Sequence, residues 1–289
     1  MEALLIYSAF NGLITGIFYA LMALGLSLIL GLNGVINFAH GTFMALGAYL
    51  AFTIEPYVGF WASLVCAPLL AVVLGLLVER WLIRPLYGRD PLFSLLLTFG
   101  LAMIMEDLIR TIWGSVGQPF ALPAYLNTPL SGSLFFLTGY RLVVILITAL
   151  ITGGLFAALR YTRIGIRIRA GNADLETISA MGVNIYVLRA ANFGIGIFLA
   201  GLAGILAAGQ LGLSPSMGSS LIMPSFVAII VGGVGSLMGS VLGGLIIGIA
   251  SGLTAALYPV AQEVVIYAIM AVVLVIRPRG LLGQEGLLE

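Results

Sequence analysis

The sequence contains no lysine, one cysteine and one histidine. Without a lysine the chain cannot carry the phosphate-binding lysine of a P-loop, so we exclude that it is itself a P-loop ATPase. One cysteine and one histidine cannot form a structural zinc cluster, and one cysteine cannot form an internal disulfide. Cys66 lies in the apolar run SLVCAPLL, where we expect a small buried side chain.

Charged residues are scarce, at only 8% of the chain. Two long stretches, 3–54 and 190–262, contain no Asp, Glu, Lys or Arg at all. A proton-coupled transporter keeps ionisable groups in its membrane core. With only amides, hydroxyls, one histidine and backbone there, we expect a passive path or a path that another subunit energises. The formal net charge of +1 gives no indication of a nucleic-acid partner.

Apolar residues dominate the composition. They make up 61% of the chain, the mean hydropathy is +1.18, and 38 glycines suit close helix packing. This predicts an all-α polytopic membrane protein, a single transmembrane domain over 1–289 with about eight spanning helices and Gly-broken or re-entrant segments. Spans of roughly 20 residues are expected at about 4–31, 34–54, 58–82, 91–113, 140–160, 187–211 and 262–277.

The first apolar run is too long for a signal-peptide core and has no basic residues before it. We therefore expect it to be retained as the first transmembrane helix. At the other end of the chain, the Gly-rich region 221–257 does not divide cleanly into spans.

The arginines indicate the orientation in the membrane. They cluster after the third, fifth and last predicted spans, whereas the loop 114–139 contains no Lys or Arg. Because cytoplasmic loops carry the excess of basic residues, the N-terminus is expected outside and the C-terminus in the cytoplasm. The region 221–257 must then cross an even number of times, or dip in and return. The clusters are Arg80, Arg84 and Arg89; Arg160, Arg163, Arg167 and Arg169; and Arg277 and Arg279.

Two interruptions, one in each half of the chain, indicate a translocation path. They are LGLNGVINFAHGTFMALGAY (30–49) and VGGVGSLMGS (231–240). The stretch 221–231 would be about 16 Å of helix, half a bilayer, so we interpret it as a broken or re-entrant helix whose exposed backbone faces a cavity. The candidate path residues are Asn33, Asn37, His40, Gly41, Thr42, Gly233, Gly235 and Ser236.

Alternatives remain open for the polar members of this set. A neutral His40 could simply pack against a neighbouring helix through a hydrogen bond. Asn33 and Asn37 could cap helix ends.

The stretch TRIGIRIRAGNADLETISAMGVN (162–184) is charged and lies between two apolar runs. We predict that Asn172 caps a helix, with Asp174 and Glu176 in its first turn, where the helix dipole favours acidic side chains. Gly182 should end this helix and Asn184 follows it. About nine residues, roughly 14 Å, are too few to be stable alone, so the helix must dock on another surface.

Five motifs in this order resemble the permeases of branched-chain amino acid ABC importers, specifically the smaller, H-type subunit. They are LNGVINFAHGTFMALGAYLA, RAGNADLETISAMGVN, FGIGIFLAGLAGILAA, GGVGSLMGSVLGGLIIGI and the final RPRGLLG. The resemblance covers essentially the whole chain. It implies an ABC importer permease fold of the type II-like class in the bacterial cytoplasmic (inner) membrane.

The resemblance also implies the partners and a coupling loop at 161–187. A second homologous permease, two cytoplasmic ATPase subunits and a periplasmic or extracellular substrate-binding protein would complete the importer. ATP and magnesium would bind the ATPases, and no cofactor is expected in this chain. The loop would dock on an ATPase through positions at Arg169, Ala170, Asn172, Asp174, Glu176, Ala180, Gly182 and Asn184.

The resemblance leaves the substrate open. Members of the family often carry an acidic residue after the HG of the first motif, where this chain has Thr42. Relatives on the same scaffold move urea, short amides or other amino acids. A stand-alone channel for a small neutral solute is a further alternative, because the uncharged spans suit it equally well. An enzyme is disfavoured, since no nucleophile–base pair, metal-ligand cluster or paired carboxylate occurs in the spans.

Overall fold

The computed structural model describes residues 1–130 and 137–283 of the chain. Within them the fold is almost wholly helical, which confirms the all-α prediction; two-residue strands, β1 (Pro129–Leu130) and β2 (Leu137–Thr138), pair antiparallel. The helices are α1 Glu2–Leu28, α2 Ala39–Val58, α3 Phe60–Val78, α4 Pro91–Trp113, α5 Gly139–Tyr161, α6 Arg163–Ala173, α7 Leu175–Ala180, α8 Ile185–Leu211, α9 Met217–Gly232, α10 Leu237–Leu257 and α11 Gln262–Ile276.

Seven helical segments of the described chain are long and apolar enough to cross a membrane. They contain α1, α3, α4, α5, α8, α10 and α11. Two further helices, α2 and α9, are not both long and apolar enough to be counted among these segments. The predicted span 34–54 begins with an extended segment and continues as α2, whose polar residues lower its hydropathy, and α9 has only 16 residues. The interrupted helices are therefore α2 and α9.

Helices α1 and α8 form the centre of the bundle. In their most apolar windows 83% and 78% of the residues are buried, against 17% in α4 and α5 and 6% in α11. The outer helices expose their apolar side chains as a lipid-facing surface would require. Cys66 on α3 is among these exposed residues, so the expectation that it is buried is wrong.

Glycines set the distance between the central helices. A Cβ built at Gly12 would lie 2.9 Å from the Cα of Ile249, and one at Gly16 would lie 3.1 Å from the Cα of Leu245. Such spacing leaves no room for side chains between α1 and α10, and small residues in membrane helices permit this approach. The contacts also show that α10 runs antiparallel to α1.

Helices α9 and α10 form an antiparallel hairpin. Gly232 meets Gly239, and one turn further along Ala228 meets Gly243. Region 221–257 therefore enters and returns, as the arginine distribution demanded. The turn of the hairpin, 233–236, packs against the C-terminal segment that contains Gly280 and Gly283.

Candidate functional site

The first interruption begins where α1 changes its winding. A π-turn, Ile29–Asn33, extends the helix, and Gly34 then adopts a left-handed conformation with φ +67°. The chain runs without regular structure to Phe38, whose amide donates to Thr98 Oγ1 at 3.2 Å, while that hydroxyl donates to the Ile36 carbonyl at 3.0 Å. Helix α4 thus supplies hydrogen bonds that the broken backbone has lost.

Asn33 lies at the centre of a buried polar network. Its Nδ2 donates to the Tyr87 hydroxyl at 2.7 Å and to the Arg189 carbonyl at 3.1 Å. Its Oδ1 accepts from Asn192 Nδ2 at 2.8 Å, and that nitrogen also donates to the Leu28 carbonyl at 2.7 Å. Because protein groups occupy both ends of the Asn33 amide, this residue fixes the end of α1 and is not free to contact a solute.

The same network contains a buried carboxylate that sequence reasoning missed. Glu79 is 1% exposed, accepts from the Tyr87 hydroxyl at 2.9 Å and pairs with Arg84 Nη2 at 3.1 Å. The guanidinium of Arg189 lies 4.4 Å from the centre of the Tyr87 ring. The sequence did contain one signal for this carboxylate, because Glu79 is an acidic residue directly after an apolar run. Its partners could be identified only from the fold.

Three of the next four candidates serve packing. The His40 imidazole lies against α1, since a Cβ at Gly25 would be 2.8 Å from its Nε2. A Cβ at Gly41 would be 2.9 Å from the Gly218 carbonyl carbon, and Thr42 Oγ1 donates to the Ala39 carbonyl at 2.8 Å. The His40 ring therefore packs against α1, but neither of its nitrogens has a hydrogen-bond partner among the described residues, so the hydrogen bond of the packing alternative is not formed.

The side chain of Asn37, unlike those of Asn33 and Thr42, has no hydrogen-bond partner in the described chain. It is fully buried, and neither its Nδ2 nor its Oδ1 has a hydrogen-bond partner among the described residues. A buried amide without a partner costs roughly 1–3 kcal/mol, so its presence calls for a role such as contact with water or a passing solute. Of the first group of candidates, Asn37 and His40 are the two whose buried polar side-chain atoms lack partners among the described residues.

The second interruption faces protein rather than a cavity. Gly233 and Gly235 have φ values of +107° and +86°, and Ser236 caps α10 by accepting from Gly239 N at 3.0 Å. The Leu281 and Leu282 amides donate to the last carbonyls of α9, both at 2.9 Å. The expectation that this exposed backbone lines a cavity is therefore wrong, because the C-terminal segment covers it.

The two interruptions do not form one site. The first reaches α9 through Gly41 against Gly218 and through the Phe38 and Phe226 rings, whose centres are 5.1 Å apart. The turn at 233–236 lies beyond the far end of α9, on the C-terminal segment. The contact across the bundle is therefore between the start of α2 and α9, and it does not include the turn at 233–236.

The charged segment 162–184 forms two helices rather than one. Asn172 lies in the last turn of α6, and Asp174 caps α7 by accepting from the amides of Glu176 and Thr177, both at 3.0 Å. The predicted cap at Asn172 is therefore wrong, and α7 has six residues instead of about nine. Asp174 rather than Asn172 caps α7 because its backbone is extended, as a cap requires, while Asn172 is helical.

The capping carboxylate has an altered acidity. The Thr177 hydroxyl, followed by the Thr177 amide, holds the pKa of Asp174 below its ordinary value. Because the folded-state pKa is lowered, this cap is in place at neutral pH and its contribution is lost as the pH falls through that lowered pKa.

The prediction that Gly182 ends the short helix is confirmed. Gly182 has φ +83° and donates to the Ser179 carbonyl, while the Val183 amide donates to Ile178, the paired bonds of a Schellman motif. Asn184 then caps α8 by accepting from Val187 N at 3.2 Å. Both ends of α7 are thus fixed. The remaining positions proposed for the coupling surface, Arg169, Ala170, Glu176 and Ala180, are all exposed.

Helix α6 connects this exposed segment to the broken end of α1. A Cβ at Gly171 would lie 2.7 Å from Leu32 Cδ1, and one at Gly31 would lie 3.0 Å from Asn172 Nδ2. Leu32 belongs to the same π-turn as Asn33. A displacement of α7 therefore has a contiguous route to the buried polar network.

We expect Asn37→Leu to separate stability from transport. Leucine has a similar volume and removes the unpaired amide, so the protein should become more stable by about 1 kcal/mol while solute transport falls. Asn192→Leu is the matched control, because it breaks two formed hydrogen bonds and should lower stability. Tm in detergent and uptake into liposomes measure both effects; unchanged uptake for Asn37→Leu would remove Asn37 from the path.

Among residues 1–130 and 137–283, no group of three His, Cys, Asp or Glu side chains is placed to hold a metal ion.

Comparison with known proteins gives a consistent result over nearly the whole chain. Residues 8–274 match the family described as "Branched-chain amino acid transport system / permease component". The chain is 33% identical to the high-affinity branched-chain amino acid transport system permease protein LivH of Escherichia coli K12, over 95% of this chain and 94% of that protein. It is 30% identical to the corresponding permease protein BraD of Pseudomonas aeruginosa, with the same coverage of both chains. A solved structure, PsaBC from Streptococcus pneumoniae in complex with Fab, superposes with a TM-score of 0.49 at 14% identity, covering 92% of this chain and 89% of that one.

Proposed function

Because the chain belongs to the family of permease components of branched-chain amino acid transport systems, we propose that it is the membrane-spanning subunit of an ATP-driven importer. Its substrate would be a branched-chain or related neutral amino acid delivered by a binding protein. ATP with magnesium would be bound and hydrolysed on separate partner subunits.

The observation that carries this proposal is the construction of α7. The helix is too short to be stable alone, yet both its ends are capped. Its outer positions are uncovered, and so is Met181, which directly follows the helix and is 77% exposed. A rigid, exposed helix on the arginine-rich side of the bundle is suited to dock in a groove of a cytoplasmic partner. A stand-alone channel does not require such a docking helix, because it has no ATPase partner.

The proposed coupling runs from α7 into the membrane. Closure of the ATPases on ATP would displace α7, and α6 would pass the movement to the π-turn through the Gly171–Leu32 contact. The network around Asn33 would move with the end of α1, shifting the segment that holds Asn37. The membrane path would then change the side to which it opens.

The substrate assignment follows from the chemistry of the spans and from the family. A zwitterion with an apolar side chain can cross a path lined by amides, hydroxyls and backbone dipoles, since it carries no net charge. Urea or short amides on the same scaffold are the second candidate, because they need the same neutral polar contacts. The proposed setting is a bacterial inner membrane, with the N-terminus outside, the C-terminus in the cytoplasm and a second permease alongside.

The test is a pull-down of the tagged chain from native membranes, followed by leucine uptake in liposomes. We expect the wild-type chain to recover the ATPases and a second permease, and uptake to require ATP and the binding protein. Gly182→Val forces a valine into φ +83° and should abolish ATPase recovery.

The matched control is Gly59→Val, which introduces the same strain at φ +79° on the opposite side of the bundle; like Gly182, Gly59 has open space around its Cα. This variant should retain the ATPases. Recovery of ATPases with Gly182→Val, or solute flux through the wild-type chain without nucleotide, would overturn the proposal. The second result would favour the channel.

A further inference from the structure

A polar cleft lies beside the close crossing of α1 and α10. It has a cavity volume of about 240 Å³. Ser8, Asn11 and Thr15 of α1 line one wall, and Ser251 of α10 and Gln262 of α11 line the other. Its floor consists of glycines and alanines of the two helices. None of its lining residues belongs to either interruption or to the predicted path residues.

The polar side chains of this cleft repeat at helical spacing. Ser8, Asn11 and Thr15 fall at i, i+3 and i+7, so they share one face of α1. The side chains of Ser8, Ser251 and Gln262 make no hydrogen bond to any other residue within the described parts of the chain. Ser251 is only 2% exposed, so its unpaired hydroxyl belongs to the cleft and not to the outer surface. A face of this kind against lipid would carry a desolvation cost for every such group.

The cleft lies on the side of the bundle opposite the arginine clusters. Its α10 residues are near the end of that helix, which leads through 258–261 into α11, and α11 returns to Arg277 and Arg279. In the proposed orientation this is the outer side, where a binding protein would release its cargo. The position suits the mouth of the path.

Charges of both signs flank the cleft. The Tyr7 hydroxyl bonds to the Asn11 side chain and lies beside Arg141, whose guanidinium carbon is 6.0 Å from the Tyr7 ring centre. Glu263 directly follows the lining residue Gln262 and is exposed. Neither charged group lines the cavity, so the neutral amides and hydroxyls would bind the zwitterion and the two charges would act on its orientation only from outside the cleft.

The size of the cleft restricts its occupant. Ligand pockets generally measure about 300–1,000 Å³, so this cleft suits a solute smaller than a nucleotide or a disaccharide. Its glycine and alanine floor has no side chains that would exclude a short branched alkyl group. The neutral wall disfavours a solute with net charge, because no counter-ion lines the cavity itself.

We propose that the cleft between α1 and α10 is a substrate subsite at the outer mouth of the path, which binds a zwitterionic amino acid with a small branched side chain. This inference rests on the proposed function for its substrate class. It assigns the entry of the path to Ser8, Asn11, Thr15 and Ser251, residues outside both interruptions.

The test uses cysteine labelling, for which the chain is convenient because Cys66 is its only cysteine. In a Cys66→Ala background, Ser251→Cys should react with a charged, water-soluble thiol reagent in the purified complex without nucleotide. Leucine at millimolar concentration should slow the reaction about threefold or more. Bound leucine, held by one or two hydrogen bonds, would shield the cysteine from the reagent. Val260→Cys, 97% exposed beside the cleft, is the control and should react equally with and without leucine.

Three labelling outcomes would overturn the inference. They are an unreactive Ser251→Cys, which means that lipid or another subunit fills the cleft; labelling that leucine does not slow; and labelling that urea slows instead. Because the assay needs no ATP, it reports on the subsite even if the ATP-driven importer assignment fails.

Transport kinetics supply a second readout. Asn11→Ala should raise the KM for leucine uptake about threefold to tenfold with unchanged ATPase recovery. If the variant assembles normally and its KM for leucine is unchanged, the inference is overturned.

Discussion

Gly204→Ala is expected to lower the free energy of unfolding by about 3 kcal/mol or more, the upper range for overpacking a tight core. The added methyl group would overlap the carbonyl of Met44, whose carbon would lie 2.8 Å away. The neighbouring atoms are backbone of α2, which cannot rotate aside as a flexible side chain could. One turn away, Gly201 and Gly47 form an equally close contact between α8 and α2. The start of α2 would therefore be displaced together with the segment that holds Asn37.

Gly100→Ala is the matched control for this prediction. Gly100 lies within α4, and a Cβ there would meet nothing within 4 Å. The same substitution should be neutral or stabilising by up to about 1 kcal/mol, because alanine loses less backbone entropy in a helix. The yield of monodisperse protein and Tm in detergent measure both variants. Equal stability of the two would mean that α2 and α8 are not packed as described.

Arg84→Leu is expected to destabilise the protein by about 3 kcal/mol, since it leaves the carboxylate of Glu79 buried without its cation. Glu79 is 1% exposed, and among the described residues its carboxylate would retain only the Tyr87 hydroxyl at 2.9 Å. The loosened Tyr87 would in turn release Asn33, so the end of α1 should become more mobile. Transport is therefore expected to fall along with Tm.

Arg80→Leu controls for the loss of a positive charge on the same side of the membrane. Arg80 is one residue from Glu79, is exposed and pairs with no carboxylate in the described chain. Its removal should change Tm little, whereas Glu79→Leu combined with Arg84→Leu should recover most of the stability lost in Arg84→Leu. A double variant no more stable than Arg84→Leu would show that the carboxylate is not the source of the cost.

The charged segment 162–184 shows what local sequence signals can and cannot predict. Gly182 was correctly predicted as the end of α7, because a left-handed residue after a helix strongly favours glycine. The start was misplaced, because Asn172 and Asp174 are both good caps and local chemistry does not choose between them. Tertiary packing selects the cap. Gly171 packs against Leu32 only if α6 continues past Gly171, so Asn172 stays within α6 and Asp174 caps the next helix.

For the predicted path residues, the sequence located the interruptions but did not predict the contacts of their side chains. The sequence marked both interruptions, since polar residues and glycines stand out in apolar spans. It could not show that Asn33 is fully bonded, that His40 packs on Gly25, or that residues 280–283 cover Gly233. Glu79, Tyr87 and Asn192 entered the site only with the fold, because their partners are far away in the chain.

Composition and spacing by themselves determined that this is an all-helical membrane protein, where its helices break, and that a charged segment lies on the arginine-rich side. These properties depend on the transfer of each residue from water to lipid and on backbone preferences, both of which act locally. Only the tertiary structure decided which polar groups are satisfied. That depends on contacts such as those of Asn33 with Asn192 and with Tyr87, which close helix packing creates between segments far apart in the chain. The unpaired Asn37 amide and the polar α1–α10 cleft are likewise products of this packing.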